Sequence, residues 1–194
     1  MTRFTVTVCL AGAAVGGDPL AALTVAMRPY DDEAGPESFN EDGAWDSWAP
    51  GSDDNFVVLP AYGGDPRLFH APHRPDNPSR PRDPCRCDGA PRGLLDLERM
   101  RETYLAEARV QWASGLGVEP GATEDEHLRR AAVVAVPTQA LLLLDGRWAD
   151  PSRLGPLGAP DPGESADDAY WRLADAYLRA LPDDAFVAQL RCHR

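Results

Sequence analysis

Apolar and polar positions alternate over residues 3–10. Phe4, Val6, Val8 and Leu10 fall on one side, Thr5, Thr7 and Cys9 on the other. That period of two predicts a strand with one face buried. Residues 185–191 (AFVAQLR) read as a second extended segment near the other end of the chain. Between them the pattern changes to helical spacing. Asp18 is a good N-cap with Pro19 in the first helical position, and Leu20, Leu23 and Met27 recur on one face until Pro29 stops the turn. Leu97, Met100, Tyr104, Ala108 and Trp112 make one stripe over residues 94–113, ended by Gly115 and Gly117. Thr123 with Glu126 forms a capping box ahead of a shorter helix. Ser165 opens a last helix in which Tyr170, Leu173, Ala174, Tyr177, Leu178 and Leu181 keep the same spacing, and Pro182-Asp183-Asp184 closes it.

Two apolar runs complete the pattern. Residues 137–144 (PTQALLLL) predict a short strand closed by Asp145-Gly146, a preferred hairpin turn, with Arg147-Trp148 starting the return. Residues 56–62 predict a strand that Pro60 confines to an edge or ends. Residues 63–92 are so dense in Pro and Arg that neither a helix nor a central strand is expected, which leaves a long loop or insertion. Strand, helix, strand at both ends predicts an α+β fold. The expected form is a two-layer sandwich, a mainly antiparallel sheet covered by helices on one face, ferredoxin-like or related. The first and last strands would lie together in one sheet, and residues 1–194 would form a single domain.

Charge bears on partners. The net charge is -12. Residues 1–66 carry eleven acids against two Arg, residues 67–92 six Arg against three acids, and residues 93–194 seventeen acids against eleven Arg. So acidic a chain repels phosphate backbones, so general nucleic-acid binding is not expected; a protein partner with a basic surface is. All nineteen positive side chains are Arg, and there is no Lys and no Ile. Both missing residues have AT-rich codons, which fits a GC-rich genome. Schiff-base, Walker-type and other lysine chemistries are excluded by composition. No apolar run reaches the roughly 18–20 residues of a membrane span. Residues 4–16 suit a strand better than an export signal, and four Cys are too few for a disulfide framework, so a reducing cytoplasm is expected.

Four groups of residues offer chemistry. His70 and His73 with Cys85 and Cys87 read H-x2-H-x11-C-x-C, two imidazoles and two thiolates that suit tetrahedral zinc. Zinc would order a loop that has little apolar content, although both spacings are tighter than usual; otherwise no cofactor is implied. Cys192-His193 pairs a thiol with an imidazole, but adjacent strand residues point to opposite faces, so His193 would need a distant partner such as Asp145. The acids between Asp31 and Asp54, with Asp42, Asp46, Asp53 and Asp54 among them, could hold a cation, do acid–base work or simply face solvent. Trp45 and Trp48 within that stretch would either pack in the core or anchor a partner. Phosphate-loop, dinucleotide, nucleophile-elbow and zinc-protease motifs are all absent.

The opening RFTVTVCL, the segment DGAPRGLLDLERMR, the block PTQALLLLDGRWADPSRLG and the ending YWRLADAYLRALPDDAFVAQLRCH resemble a group of small uncharacterised proteins of GC-rich actinobacteria and their phages or integrated elements. That group ends in an acidic turn, a hydrophobic strand and a Cys-His pair, matched by Asp183, Asp184 and Cys192-His193. It carries a Trp-rich segment before its middle, matched by Trp45 and Trp48; the Gly-Gly-Arg-Trp stretch that follows there is missing here. The resemblance spans about half the chain and implies no activity, only a phage or mobile-element setting. The functional expectation is a small accessory or regulatory protein that binds a macromolecule through Asp42, Asp46, Asp53, Asp54, Trp45 and Trp48. Two alternatives stand beside it: a hydrolase or nuclease using carboxylates and His193, and a zinc-stabilised binding module.

Overall fold

The two alternating segments at the ends of the chain pair with each other along their whole length. The computed structural model describes residues 3–32, 40, 42–51, 55–71 and 83–194. In chain order the elements are β1 (Arg3–Leu10), α1 (Gly12–Val15), α2 (Pro19–Met27), β2 (Ser47–Pro50), β3 (Phe56–Val57), β4 (Arg86–Cys87), β5 (Gly89–Pro91), α3 (Leu97–Ser114), α4 (Glu124–Val134), β6 (Ala140–Leu142), β7 (Trp148–Ala149), α5 (Ala166–Ala180) and β8 (Phe186–His193). β1 and β8 run antiparallel from Arg3↔His193 to Leu10↔Phe186. The sheet order is β2-β8-β1-β6-β7, with β5 also on β8. β2 takes the stretch of β8 opposite Leu190 to His193, and β5 the stretch opposite Phe186 to Ala188. β1–β6 is the parallel pair in an otherwise antiparallel sheet. The protein is thus α+β, with a mainly antiparallel sheet and helices packed on it.

Centrality explains why β1 and β8 bury more than one face. Cys9 and Val187 join Leu141, Met100, Tyr170, Ala174 and Leu178 in one apolar cluster. Val6, Val8, Ala188 and Leu190 join Leu23 and Met27 of α2, with Trp45 and Trp148, in a second. The strand alternation is as expected, but both faces of its middle are covered: α3 and α5 lie on one side, α2 and the residues around Trp45 on the other. Strands buried on both faces lose the simple apolar-in, polar-out code.

Local signals in the sequence set most element ends. Asp18 caps α2 by accepting from Ala21 N at 3.0 Å, and Ser165 caps α5 by accepting from Asp168 N at 3.1 Å. The Thr123–Glu126 capping box is formed at α4. Gly115 ends α3 in the left-handed region, φ 69°, where a side chain would be strained. The region 63–92 is mostly irregular where described, yet two short strands lie at its end. β4 pairs with β3 in a small separate sheet, and Gly89 brings β5 onto β8 so closely that a Cβ there would lie 2.8 Å from that of Ala188.

The helix layer is locked by a buried ion pair that periodicity does not reveal. Arg101 of α3 and Asp175 of α5 are 3% and 6% exposed. Arg101 Nε donates to Asp175 Oδ1 at 3.2 Å, and its Nη2 donates to the same oxygen. Arg179 Nε donates to Asp175 Oδ2 at 2.8 Å, and Arg101 Nη1 donates to Glu98 at 2.8 Å. Tyr104 of the expected stripe is 44% exposed.

Candidate functional site

The face of the sheet under α3 and α5 changes character along its length. Cys9 and Val187 are buried in the apolar cluster, whereas the next residues on the same face are Thr7, Thr5 and Arg3 of β1 and Gln189, Arg191 and His193 of β8. Ser47 and Ala49 of β2 lie opposite His193 and Arg191 and share that face. Beyond the helices this half of the sheet opens into a groove of about 640 Å³. Arg3, Thr5, Ser47, Gln139, Arg191 and His193 supply its polar wall, and among the described residues no carboxylate lines it.

The polar wall is braced from below. Gln139 Oε1 accepts from Thr5 N at 2.9 Å and from the Thr5 hydroxyl. The Gln139 oxygen is thus engaged by Thr5. Deeper in, Thr7 and Thr138 share a hydrogen bond of 3.0 Å, and Tyr170 OH donates to Thr138 O at 2.7 Å. Burial pushes the Tyr170 phenol far above its usual range, so it stays a neutral donor.

The candidates read from the sequence are distributed over several places. His193 lies in the groove, at the end of the sheet marked by Arg3. Asp145 lies in the β6–β7 hairpin, ion-paired to Arg147 at 2.6 Å, and that side-chain hydrogen bond holds its carboxyl below the usual range. β6 is aligned so that Leu142 meets Val8, five residues along β1 from Arg3. At ~3.4 Å per residue this places the hairpin more than ~15 Å from His193. Asp145 instead shares its surroundings with Asp42 and Arg153, all three acting on the Tyr30 phenol, which donates to Gly146 O at 2.6 Å. Burial raises the Tyr30 pKa. Asp46 is the acid beside His193: its N–H donates to His193 O at 2.9 Å, and its carboxylate accepts from the Ser47 hydroxyl at 3.1 Å.

Trp45 is 5% exposed and belongs to the second apolar cluster, so its indole builds the core. Trp48 is half-buried against the same cluster and borders the groove. Asp42 and Asp46 are exposed. Asp53 and Asp54 lie outside the described residues, as does His73. Of the other proposed zinc ligands, Cys85 is exposed, His70 is half-buried and Cys87 is fully buried among Phe56, Val58 and Leu95. Among the described residues no group of three or more His, Cys, Asp and Glu is placed to hold a metal ion.

Cys192 points into the second cluster, fully buried, on the face opposite His193. Burial pushes its thiol up to about 12, and that of Cys9 likewise to about 12. A thiol so raised is not a nucleophile at neutral pH. A chromogenic disulfide reagent should therefore titrate only Cys85 quickly in the native protein and all four cysteines after unfolding. Fast native labelling of Cys192 would contradict the burial.

A second hollow, of about 830 Å³, lies between α3, α4 and α5. Its charges are largely matched within the fold: Arg130 pairs with Glu119 and Asp168, and Arg172 with Glu164 at 2.7 Å. Its polar groups thus serve mainly to join helices.

Arg3, Thr5, Ser47, Gln139 and Arg191 were not singled out by sequence motif. The one signal for them is that polar residues recur at every second position of both end strands, Arg3-Thr5-Thr7 and Gln189-Arg191-His193. Comparison with protein-family models, with curated proteins and with solved structures gives no match in any of the three. Among the described residues no helix is long and apolar enough to cross a membrane.

Proposed function

We propose that this chain is a small acidic accessory or regulatory protein that acts by binding a macromolecular partner with a basic surface, in a phage or mobile-element setting. The observation that carries the reading is the presentation of Asp42 and Asp46. Both are exposed, and neither enters an ion pair among the described residues. The buried Trp45 between them pins their segment to the core, so these carboxylates are held on a braced surface, which lowers the ordering cost of docking. The separation of Asp145 from His193 and the burial of Cys192 favour binding over hydrolysis. Charge complementarity of this kind speeds association and weakens with salt.

The test uses the full chain as bait in a lysate of its native host. One stoichiometric protein with a basic surface should be retained at low salt and released by about 0.5 M salt, where screening is nearly complete. An Asp42→Asn/Asp46→Asn double variant should weaken that retention by about tenfold or more, at roughly a factor of ten per 1.4 kcal/mol of lost charge pairing. No stoichiometric partner, or capture indifferent to both substitutions, would reject the reading.

A further inference from the structure

We propose that the hollow between α3, α4 and α5 is a binding site for a small organic cation with an apolar body, a site independent of the acidic surface around Asp42. The local sequence builds it. Tyr104, Glu107 and Gln111 follow one another at three- and four-residue spacing, so they stand on one side of α3. All three line the hollow. No residue of α4 is fully buried. Its Val133 and Val134 are half-buried and line the same space, and half-buried Trp171 of α5 supplies a third wall. The enclosed volume, about 830 Å³, lies within the range of small-ligand sites, which occur between helices. Two aromatic rings border it, and that of Tyr104 is 44% exposed.

The ligand class follows from what the fold leaves unmatched. Arg130 is held by Glu119 and Asp168, and Arg172 by Glu164 and Asp161. Arg129 acts on Glu126, whose carboxylate accepts from Thr123 N. That leaves Glu107, which is exposed and enters no ion pair among the described residues. An anion would meet guanidinium groups already matched to carboxylates. A cation finds an unmatched carboxylate one turn along α3 from the Tyr104 ring. Cations are also drawn to the negative faces of Tyr and Trp rings, more strongly where water is partly excluded. The apolar body of such a ligand would rest on the same rings and on the two valines. Arg130 links α4 to α5 and to the segment between α3 and α4. The walls are thus placed before any ligand arrives, which limits the ordering cost of binding.

The experiment is a titration of the whole protein with benzyltrimethylammonium, read by calorimetry and by amide chemical shifts. Saturable binding is expected, with a dissociation constant below about 1 mM and the largest shifts at Tyr104, Glu107, Val134 and Trp171. Glu107→Gln and Tyr104→Leu should each weaken it about three- to tenfold. Their melting temperatures should stay near that of the parent, since both side chains are exposed. Tyr104→Phe keeps the ring face and should bind as the parent does. Absence of saturation by about 5 mM would overturn the assignment. So would shifts clustered away from the hollow, an unchanged affinity in Glu107→Gln or Tyr104→Leu, equal losses in Tyr104→Phe and Tyr104→Leu, or equal affinity for the anion benzenesulfonate. These variants leave Asp42 and Asp46 intact, so partner capture should be indifferent to them. Loss of capture in Glu107→Gln would place the cation on that partner and overturn the assignment to a small molecule.

Discussion

Asp175→Ala is expected to lower the free energy of unfolding by about 3–5 kcal/mol, measured by urea denaturation with the slope of the transition unchanged. The carboxylate is the counter-charge to a guanidinium that is 3% exposed, and it joins α3 to α5. Removing it strands the Arg101 charge away from water, and desolvation of an unpaired ion outweighs the hydrophobic gain from a methyl group. Glu98 also reaches Arg101, but its own side chain is 70% exposed, so screening limits what it returns. Arg179 loses its partner at 2.8 Å as well; it is half in solvent, and that loss is small. Replacing both buried partners, Arg101→Met with Asp175→Leu, should restore stability to within about 1–2 kcal/mol of the parent, since an apolar pair of similar volume needs no desolvation. A loss below ~1 kcal/mol in Asp175→Ala would mean that water reaches Arg101, and the helix layer would then need a different account.

Tyr170→Ala should cost about 3–5 kcal/mol, the range for emptying an aromatic core position. The ring is fully buried in the cluster beneath α5 and packs edge-on against Trp171 at 5.3 Å. The hydroxyl adds a separable part. It donates to Thr138 O, in the loop that leads into β6. Tyr170→Phe keeps the packing and leaves that carbonyl without this donor, for an expected loss of about 1–2 kcal/mol. The contrast between the two variants apportions packing and hydrogen bonding at one position. It also bears on the groove, because Thr138 adjoins Gln139, whose amide braces Thr5. If Tyr170→Phe proved as damaging as Tyr170→Ala, the hydroxyl network rather than the ring would be holding this end of the sheet.

These residues show why part of the molecule was legible and part was not. Tyr170 lay on an apolar stripe of helical period and was readable as core. Arg101 and Asp175 sat within helices as ordinary charged residues, and nothing in their spacing announced burial; only the approach of two helices far apart in sequence excluded water from them. Tyr104 stands between Met100 and Ala108, which are buried as expected, yet is 44% exposed because it borders the hollow between α3, α4 and α5. Trp45 could have been anchor or core, and the packing of α2 and Trp148 decided it.

The candidate site divides in the same way. His193 was singled out with the expectation that it needed a partner elsewhere, and Asp145 was one option. Strand register set them at opposite ends of the sheet, because β6 joins β1 in parallel and its hairpin therefore points away from the end where His193 lies. Arg3 and Arg191 drew no notice, being separated by most of the chain, yet antiparallel pairing of the first and last strands makes them neighbours on one face.

Residue order alone determined what depends on near neighbours along the chain: the alternation of both end strands, the caps at Asp18, Thr123 and Ser165, the Asp145-Gly146 turn, and hence the α+β class. Tertiary structure alone decided what depends on distance through space. It chose which strands are central and so buried on two sides, which charges lose water, and which half of the sheet the helices leave open. Local propensities act over a few residues and can be read from them; desolvation and charge proximity belong to surfaces that exist only once β1 has met β8.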